Sequence, residues 1–252
     1  MSRHSRLLHL VAWRGNAGEF PENTVQAFAS AIELGARFIA IDVQLSADGV
    51  PMAIHDPVLA RTAGLDGAVL EKTSAELVRV DVSESGRFGP RFSGMRMPRL
   101  ADVLGVLENR PEVTAFVEIQ RQSLARFGHD LVLTQLMETL RPFRSQCVVV
   151  SLDLPAIMRV RQTGGLPIGW VLPAYDDHSR LKYEALQPEF LFCDAALLPQ
   201  AGALWRGPWR WVIRGITTLE HALQLAERGA DFIATSHVRS MSEAMRVHSA
   251  AG

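Results

Sequence analysis

The sequence predicts an α/β fold: one (β/α)₈ barrel spanning residues 1–252, with a small insertion after a hairpin that carries a His-Asp pair. Three observations predict it. Eight short apolar runs are spaced along the whole chain, most of the stretches between them carry helical spacing, and one α–β unit recurs near both ends. Strands alternating with helices make a parallel sheet, and eight of them close into a barrel.

The predicted strands are residues 7–13, 37–43, 114–120, 147–152, 166–172, 189–194, 210–214 and 231–235. After the first strand, Val25, Phe28, Ala29 and Ile32 fall at i, i+3, i+4 and i+7, which is one face of a helix. Asn23 is the predicted N-cap, with Gln26 three residues on, and Gly35 is the stop. The last helix repeats the design with Thr217 and Glu220 as a capping box and Gly229 as the stop. Residues 33–40 and 227–234 match at six of eight positions, each reading as helix end, Gly turn and strand start.

Two regions break the alternation. Within residues 43–56, Asp48 and Gly49 separate two strand-like runs, a strong hairpin signal. A two-residue loop there predicts Ala47 opposite Val50 and Asp42 opposite His55, so a carboxylate and an imidazole meet at the C-terminal end of a barrel strand. Residues 57–99 lack clear periodicity and read as the insertion, followed by a helix over 100–108.

The formal net charge of −1 gives no pull toward nucleic acid or an anionic membrane. There is no 18-residue apolar run, and the first strand leaves no room for a signal peptide, so the expectation is a cytoplasmic protein without a membrane span. Cys147 and Cys193 each sit inside a predicted strand and read as reduced core residues. The sequence carries no signal for an oligomeric state.

A longer pattern runs through the chain. It comprises Ala12-Trp13-Arg14-Gly15-Asn16, Pro21-Glu22-Asn23-Thr24, Ala27-Phe28, Gly35-Ala36, Ile41-Asp42-Val43-Gln44-Leu45, Asp48-Gly49-Val50-Pro51 and Ile54-His55-Asp56. It continues with Leu59, Arg61-Thr62, the stretch from Met97 to Leu104, Val117-Glu118-Ile119-Gln120, Ser151-Leu152 and the stretch from Gly229 to Thr235. In this the chain resembles the glycerophosphodiester phosphodiesterase family. The resemblance implies a (β/α)₈ barrel that hydrolyses glycerophosphodiesters to sn-glycerol 3-phosphate and an alcohol with a divalent metal, Mg²⁺ or Ca²⁺.

The family site has two catalytic histidines, three metal carboxylates and a lysine, and this sequence keeps part of it. Trp13 stands at the first histidine, with Arg14 retained beside it; Ala40 stands at the first metal glutamate, with Asp42 retained; Gln120 replaces the lysine two residues after Glu118. The resemblance therefore implies His55 and Arg14 as catalytic residues, Asp42 and Glu118 as metal ligands, and a metal weakened by Ala40. Arg14, Trp13, Gln120 and His237 are the candidates for substrate contact. Residue chemistry leaves alternatives open. Arg14 could pair with Glu118 or Glu22 instead of phosphate, and Trp13 could fill the space left by Ala40 instead of stacking on a ligand. Trp has no titratable group, and His9 lies four residues down the strand from Trp13, about 13 Å at ~3.3 Å per residue, too far to replace the missing imidazole. His237, just past the last strand, is at the correct end. Two functions follow: the family hydrolysis, or a catalytically impaired member that binds a small phosphodiester or glycerol phosphate or serves as a scaffold.

Overall fold

The computed structural model describes residues 8–251. Its strands are β1 (His9–Trp13), β2 (Phe38–Leu45), β3 (Pro51–Ala53), β4 (Thr114–Ile119), β5 (Cys147–Ser151), β6 (Ile168–Val171), β7 (Phe190–Asp194), β8 (Arg210–Arg214) and β9 (Phe232–Thr235). All pair in parallel except β3, which runs antiparallel to β2, and β1 pairs with both β2 and β9, so the sheet closes on itself. The barrel strands are the eight the sequence predicts, within two residues at each end; residue 7, the predicted start of the first, lies outside the described residues.

Strand parity divides the apolar side chains into two populations. Ile39, Ile41, Val43, Val117, Val149, Leu191 and Ile213 face outward, where helices cover them. Val11, Ala40, Phe116, Val148, Val150, Val171, Phe192, Val212, Phe232 and Ala234 fill the lumen. At the N-terminal end the lumen is closed by rings: Phe38 meets Phe232 at 4.8 Å, Phe116 meets Phe190 at 5.0 Å, and His9 meets Phe232 at 5.1 Å between centroids. His9 is thus a floor residue. At the other end the inward positions turn polar, from Ala40 to Asp42, Phe116 to Glu118, Phe192 to Asp194 and Val212 to Arg214.

The caps differ from expectation by one residue. The first helix, Val25–Glu33, is capped by Thr24, whose hydroxyl accepts from the Ala27 N–H, while Gly35 at φ 94° follows its end as predicted. The helix Leu219–Arg228 is capped by Thr218 instead of Thr217, and Gly229 ends it in the left-handed region. A further helix, Val238–Ala251, follows β9.

The hairpin register also corrects the prediction. Leu45 pairs with Pro51 and Val43 with Ala53, so Asp42 stands opposite Ile54, whose N–H donates to the Asp42 carbonyl at 3.0 Å. The loop has three residues because the Ala47 N–H donates to the Lys72 carbonyl instead of across the hairpin, and Gly49 at φ 80° completes the turn. Between β3 and β4 lie short helical turns and a satellite core of Met52, Ile54, Leu59, Val69, Leu77, Val82 and Met97. The returning chain at Pro98 accepts from the Ala53 N–H and covers the β3 edge. Cys147 and Cys193 are buried free thiols. No helix among the described residues is long and apolar enough to cross a membrane.

Candidate active site

The C-terminal mouth gathers Trp13, Asp42, Glu118, Asp194 and Arg214 from strand ends, and their register sets who meets whom. Trp13 is in register with Ala40, Asp42 with Glu118, and Asp194 with Arg214. Trp13 packs against the lumen cluster that contains Ala40. The indole therefore occupies the space a longer side chain at position 40 would need.

Asp42 is buried and fully engaged. Its Oδ2 accepts from Asn23 Nδ2 at 3.1 Å and its Oδ1 from Gln120 Nε2 at 3.0 Å, while its own N–H donates to Asn23 Oδ1 at 3.1 Å. Arg14 Nε lies 2.7 Å from Asp42 Oδ2, off the line of a hydrogen bond, so this contact is an ion pair. Asn23, at φ 55°, serves as the clamp on Asp42 and leaves the helix cap to Thr24. Arg14 also departs from ordinary backbone, at φ 61°, and the turn continues through Gly15 at φ 82°. That turn aims the guanidinium back over the mouth.

From Arg14 an unbroken chain of ion pairs runs to His55. Arg14 Nη1 meets Glu22 at 3.0 Å, Arg61 grips Glu22 at 2.7 and 2.9 Å, Arg61 Nε meets Asp56 at 2.6 Å, and Asp56 meets His55 Nδ1 at 2.7 Å. The imidazole and Asp42 are thus linked through four intervening side chains, and the direct meeting expected from a two-residue hairpin loop does not occur. Gln44 fixes the backbone here: its amide donates to the His55 carbonyl at 3.0 Å, and its own oxygen accepts from Ser123 Oγ. With Nδ1 committed to Asp56, His55 presents Nε2, and the side chain is 40% exposed.

Burial raises the Glu22 and Asp56 carboxyls, but Arg61 on both, joined by Arg14 on one and His55 on the other, outweighs it and holds them below the usual range. Glu118 goes the other way. Burial pushes its carboxyl up, the neighbouring Asp42 adds to the rise, and Arg214 offsets only part of it. With Asp194, Arg214 is a mouth residue that the sequence reading missed. Its Nη1 donates to Glu118 at 3.1 Å, and its Nε and Nη2 fork onto Asp194 at 3.2 Å each. The signal was present, since Arg214 ends a strand and shares the inward parity of Val212. Of the two partners considered for Arg14, Glu22 is correct; Glu118 belongs to Arg214. Both guanidiniums lie over the Trp13 ring, Arg14 Cζ at 4.9 Å and Arg214 Cζ at 5.5 Å from its centroid.

His237 is not drawn into this chain. Its Nδ1 sits 3.2 Å from Ser236 Oγ, and its side chain lines a separate pocket of about 140 Å³ with Asn16, Glu19 and Arg239.

The sequence profile of the Glycerophosphoryl diester phosphodiesterase family matches residues 14–146, more than half of the chain. The chain belongs to that family. Among members of the family, the glycerophosphodiester phosphodiesterase of Caldanaerobacter subterraneus subsp. tengcongensis is 39% identical over 101 residues, 40% of this chain and 41% of the relative. The Bacillus altitudinis enzyme of the same name is 37% identical over 118 residues, 47% of each chain. The chain thus spans less than half the length of these curated relatives. Over the full fold it superposes on an Oleispira antarctica phosphodiesterase solved with the product sn-glycerol-3-phosphate, with TM-score 0.83 and 22% identity over 96% of this chain and 98% of the other. The Thermotoga maritima glycerophosphodiester phosphodiesterase gives TM-score 0.69 and 19% identity over 97% and 100%.

The family implies a divalent cation at this mouth, and the residues here do not fit one. Asp42 and Glu118 stand side by side, but each is already paired with an arginine, and Ala40 offers no oxygen. No group of three His, Cys, Asp or Glu side chains able to hold a metal occurs among the described residues.

Proposed function

We propose that the chain hydrolyses glycerophosphodiesters at this mouth, releasing glycerol 3-phosphate and an alcohol. The observation that carries the reading is His55 with Nδ1 held by Asp56 and Nε2 open, tied through one chain of ion pairs to Arg14 and Asp42. Family membership and the product named for the Oleispira neighbour support the substrate class. In the reaction a water oxygen attacks phosphorus and its proton passes to His55 Nε2. The bond to the alcohol oxygen breaks, and that oxygen leaves as the alkoxide and takes its proton from solvent water. A positioned general base is worth about 10²–10⁴ in rate. Trp13 supplies no proton to the leaving group, so the reaction depends steeply on the leaving group's own acidity. An aryl phosphodiester is cleaved far faster than glycerophosphocholine, whereas equal rates on the two contradict this mechanism.

A second reading is binding of the same ligands without turnover. It is favoured by one observation: Trp13 and Arg14 close the position where a second imidazole would act. One experiment separates the two. Glycerol 3-phosphate release from glycerophosphocholine and glycerophosphoethanolamine is measured beside His55→Ala, with thermal unfolding of the same samples. Release that the variant abolishes establishes hydrolysis. Ligand-induced stabilisation with release no greater than the variant's establishes the binder.

A further inference from the structure

We propose that Arg214, together with Arg14, holds the ligand's phosphate in the place where the family uses a divalent cation, making phosphate recognition at this mouth metal-independent. This rests on the reading that glycerophosphodiesters or glycerol 3-phosphate are the ligands.

The charge arithmetic comes first. Asp42 and Glu118 place two carboxyl groups on adjacent, in-register positions, the pair that a divalent cation would have to bridge. Two guanidiniums already occupy these carboxyls, Arg14 at 2.7 Å from Asp42 and Arg214 at 3.1 Å from Glu118, the first shared with Glu22 and the second with Asp194. A cation entering there must displace one of these arginines, and the Arg214 side chain is only 13% exposed. Moving a buried guanidinium off its carboxylates without another partner is costly.

Donor arithmetic comes second. A guanidinium has five N–H groups. Arg14 places Nε at Asp42 and Nη1 at Glu22, and its Nη2 makes no hydrogen bond among the described residues. Arg214 donates from Nη1 to both oxygens of Glu118 and from Nε and Nη2 to the two oxygens of Asp194, leaving one N–H, on Nη2, for a ligand. Both guanidiniums lie over one indole, Trp13, with Cζ at 4.9 and 5.5 Å from its centroid, and that indole packs against the lumen cluster. A tetrahedral anion above Trp13 receives charge-assisted hydrogen bonds from both, the geometry in which arginine exceeds any point charge.

Size completes the argument. Ala40 is what lets the Trp13 ring pack into the mouth, and that ring is what the two arginines rest against. Trp13, Arg14, Ala40 and Arg214 thus form one arrangement around the indole.

The test is isothermal titration of the full chain with sn-glycerol 3-phosphate in EDTA, then with excess Mg²⁺ or Ca²⁺, and with each metal alone. The expected result is the same Kd in all conditions, no heat from metal alone, and binding weakened about tenfold or more by Arg214→Gln. Arg214→Lys, which keeps the charge but loses the fork, should also weaken it. Binding that tightens tenfold or more when metal is added overturns the proposal while leaving the substrate reading intact. So does unchanged affinity in a folded Arg214→Gln protein. If neither glycerol 3-phosphate nor glycerophosphocholine binds in any condition, the substrate reading falls and this proposal with it. Should Arg214→Gln fail to fold, the metal titrations on the natural chain still decide.

Discussion

A double-mutant cycle on Arg14 and Asp42 tests whether the retained carboxylate is committed to protein partners. In Asp42→Asn the side-chain oxygen can still accept from Gln120, but the new amide faces the Arg14 and Asn23 donors, so one ion pair and one hydrogen bond are lost. Asp42 is 3% exposed and Arg14 16%. Breaking a pair this buried costs about 3 kcal/mol, the low end for buried pairs because Arg14 retains some water. Unfolding entropy of about 2.1 cal/mol/K per residue gives about 0.5 kcal/mol/K for a chain of this length, so Tm falls by about 6 °C. Arg14→Met costs a similar amount by leaving the carboxylate short of a cation. It also removes the contact with Trp13, but that loss recurs in the double variant and cancels in the cycle. Urea unfolding of the four proteins should return a coupling of about 2–3 kcal/mol. A coupling below about 0.5 kcal/mol refutes the reasoning: Asp42 would then be free to serve another cation.

Three further outcomes follow from the geometry. Gly15→Ala should lower Tm by about 4–10 °C in a thermal melt, because a Cβ there lies 2.6 Å from the Ala27 carbonyl carbon and φ is +82°; a shift below about 2 °C contradicts the packing. Glu22 and Asp56 are depressed in the folded state, so the stability they give is present above their unfolded pKa and is lost as pH falls through the lower folded values. Tm should therefore drop through the acid range below about pH 4, and Arg61→Gln should flatten that limb. Burial pushes the Cys147 and Cys193 thiols up to about 12, so neither reacts with an aromatic disulfide reagent in the native state while both react in urea; rapid native labelling contradicts the burial.

The barrel was legible because strand parity and apolar runs are local properties that the tertiary fold reinforces. The failures share a different cause. Asn23 and Thr24 are both good caps, and the choice between them is made by Asp42, nineteen residues away, which takes the Asn23 amide. The Asp48-Gly49 turn looked like a two-residue loop, but the Ala47 N–H finds Lys72 across the insertion and the register moves by one. His237 stood at the right end of the barrel, yet its loop turns it toward Asn16 and Glu19. The changed positions of the site, Trp13, Ala40 and Gln120, were visible one by one. The Arg214–Glu118 pair beside them was not, because 96 residues separate its members and only barrel closure brings them together.

The ring-filled floor of the lumen has a consequence for traffic. With Phe38, Phe116, Phe190 and Phe232 in contact below, the barrel is a blind well and not a tunnel. Anything that binds above Trp13 must leave by the doorway through which it came, so a departing molecule and an arriving one exclude each other. That doorway is framed on one side by the insertion, whose Arg61 and Glu84 hold Glu22 and whose Arg87 reaches the Ala17 carbonyl.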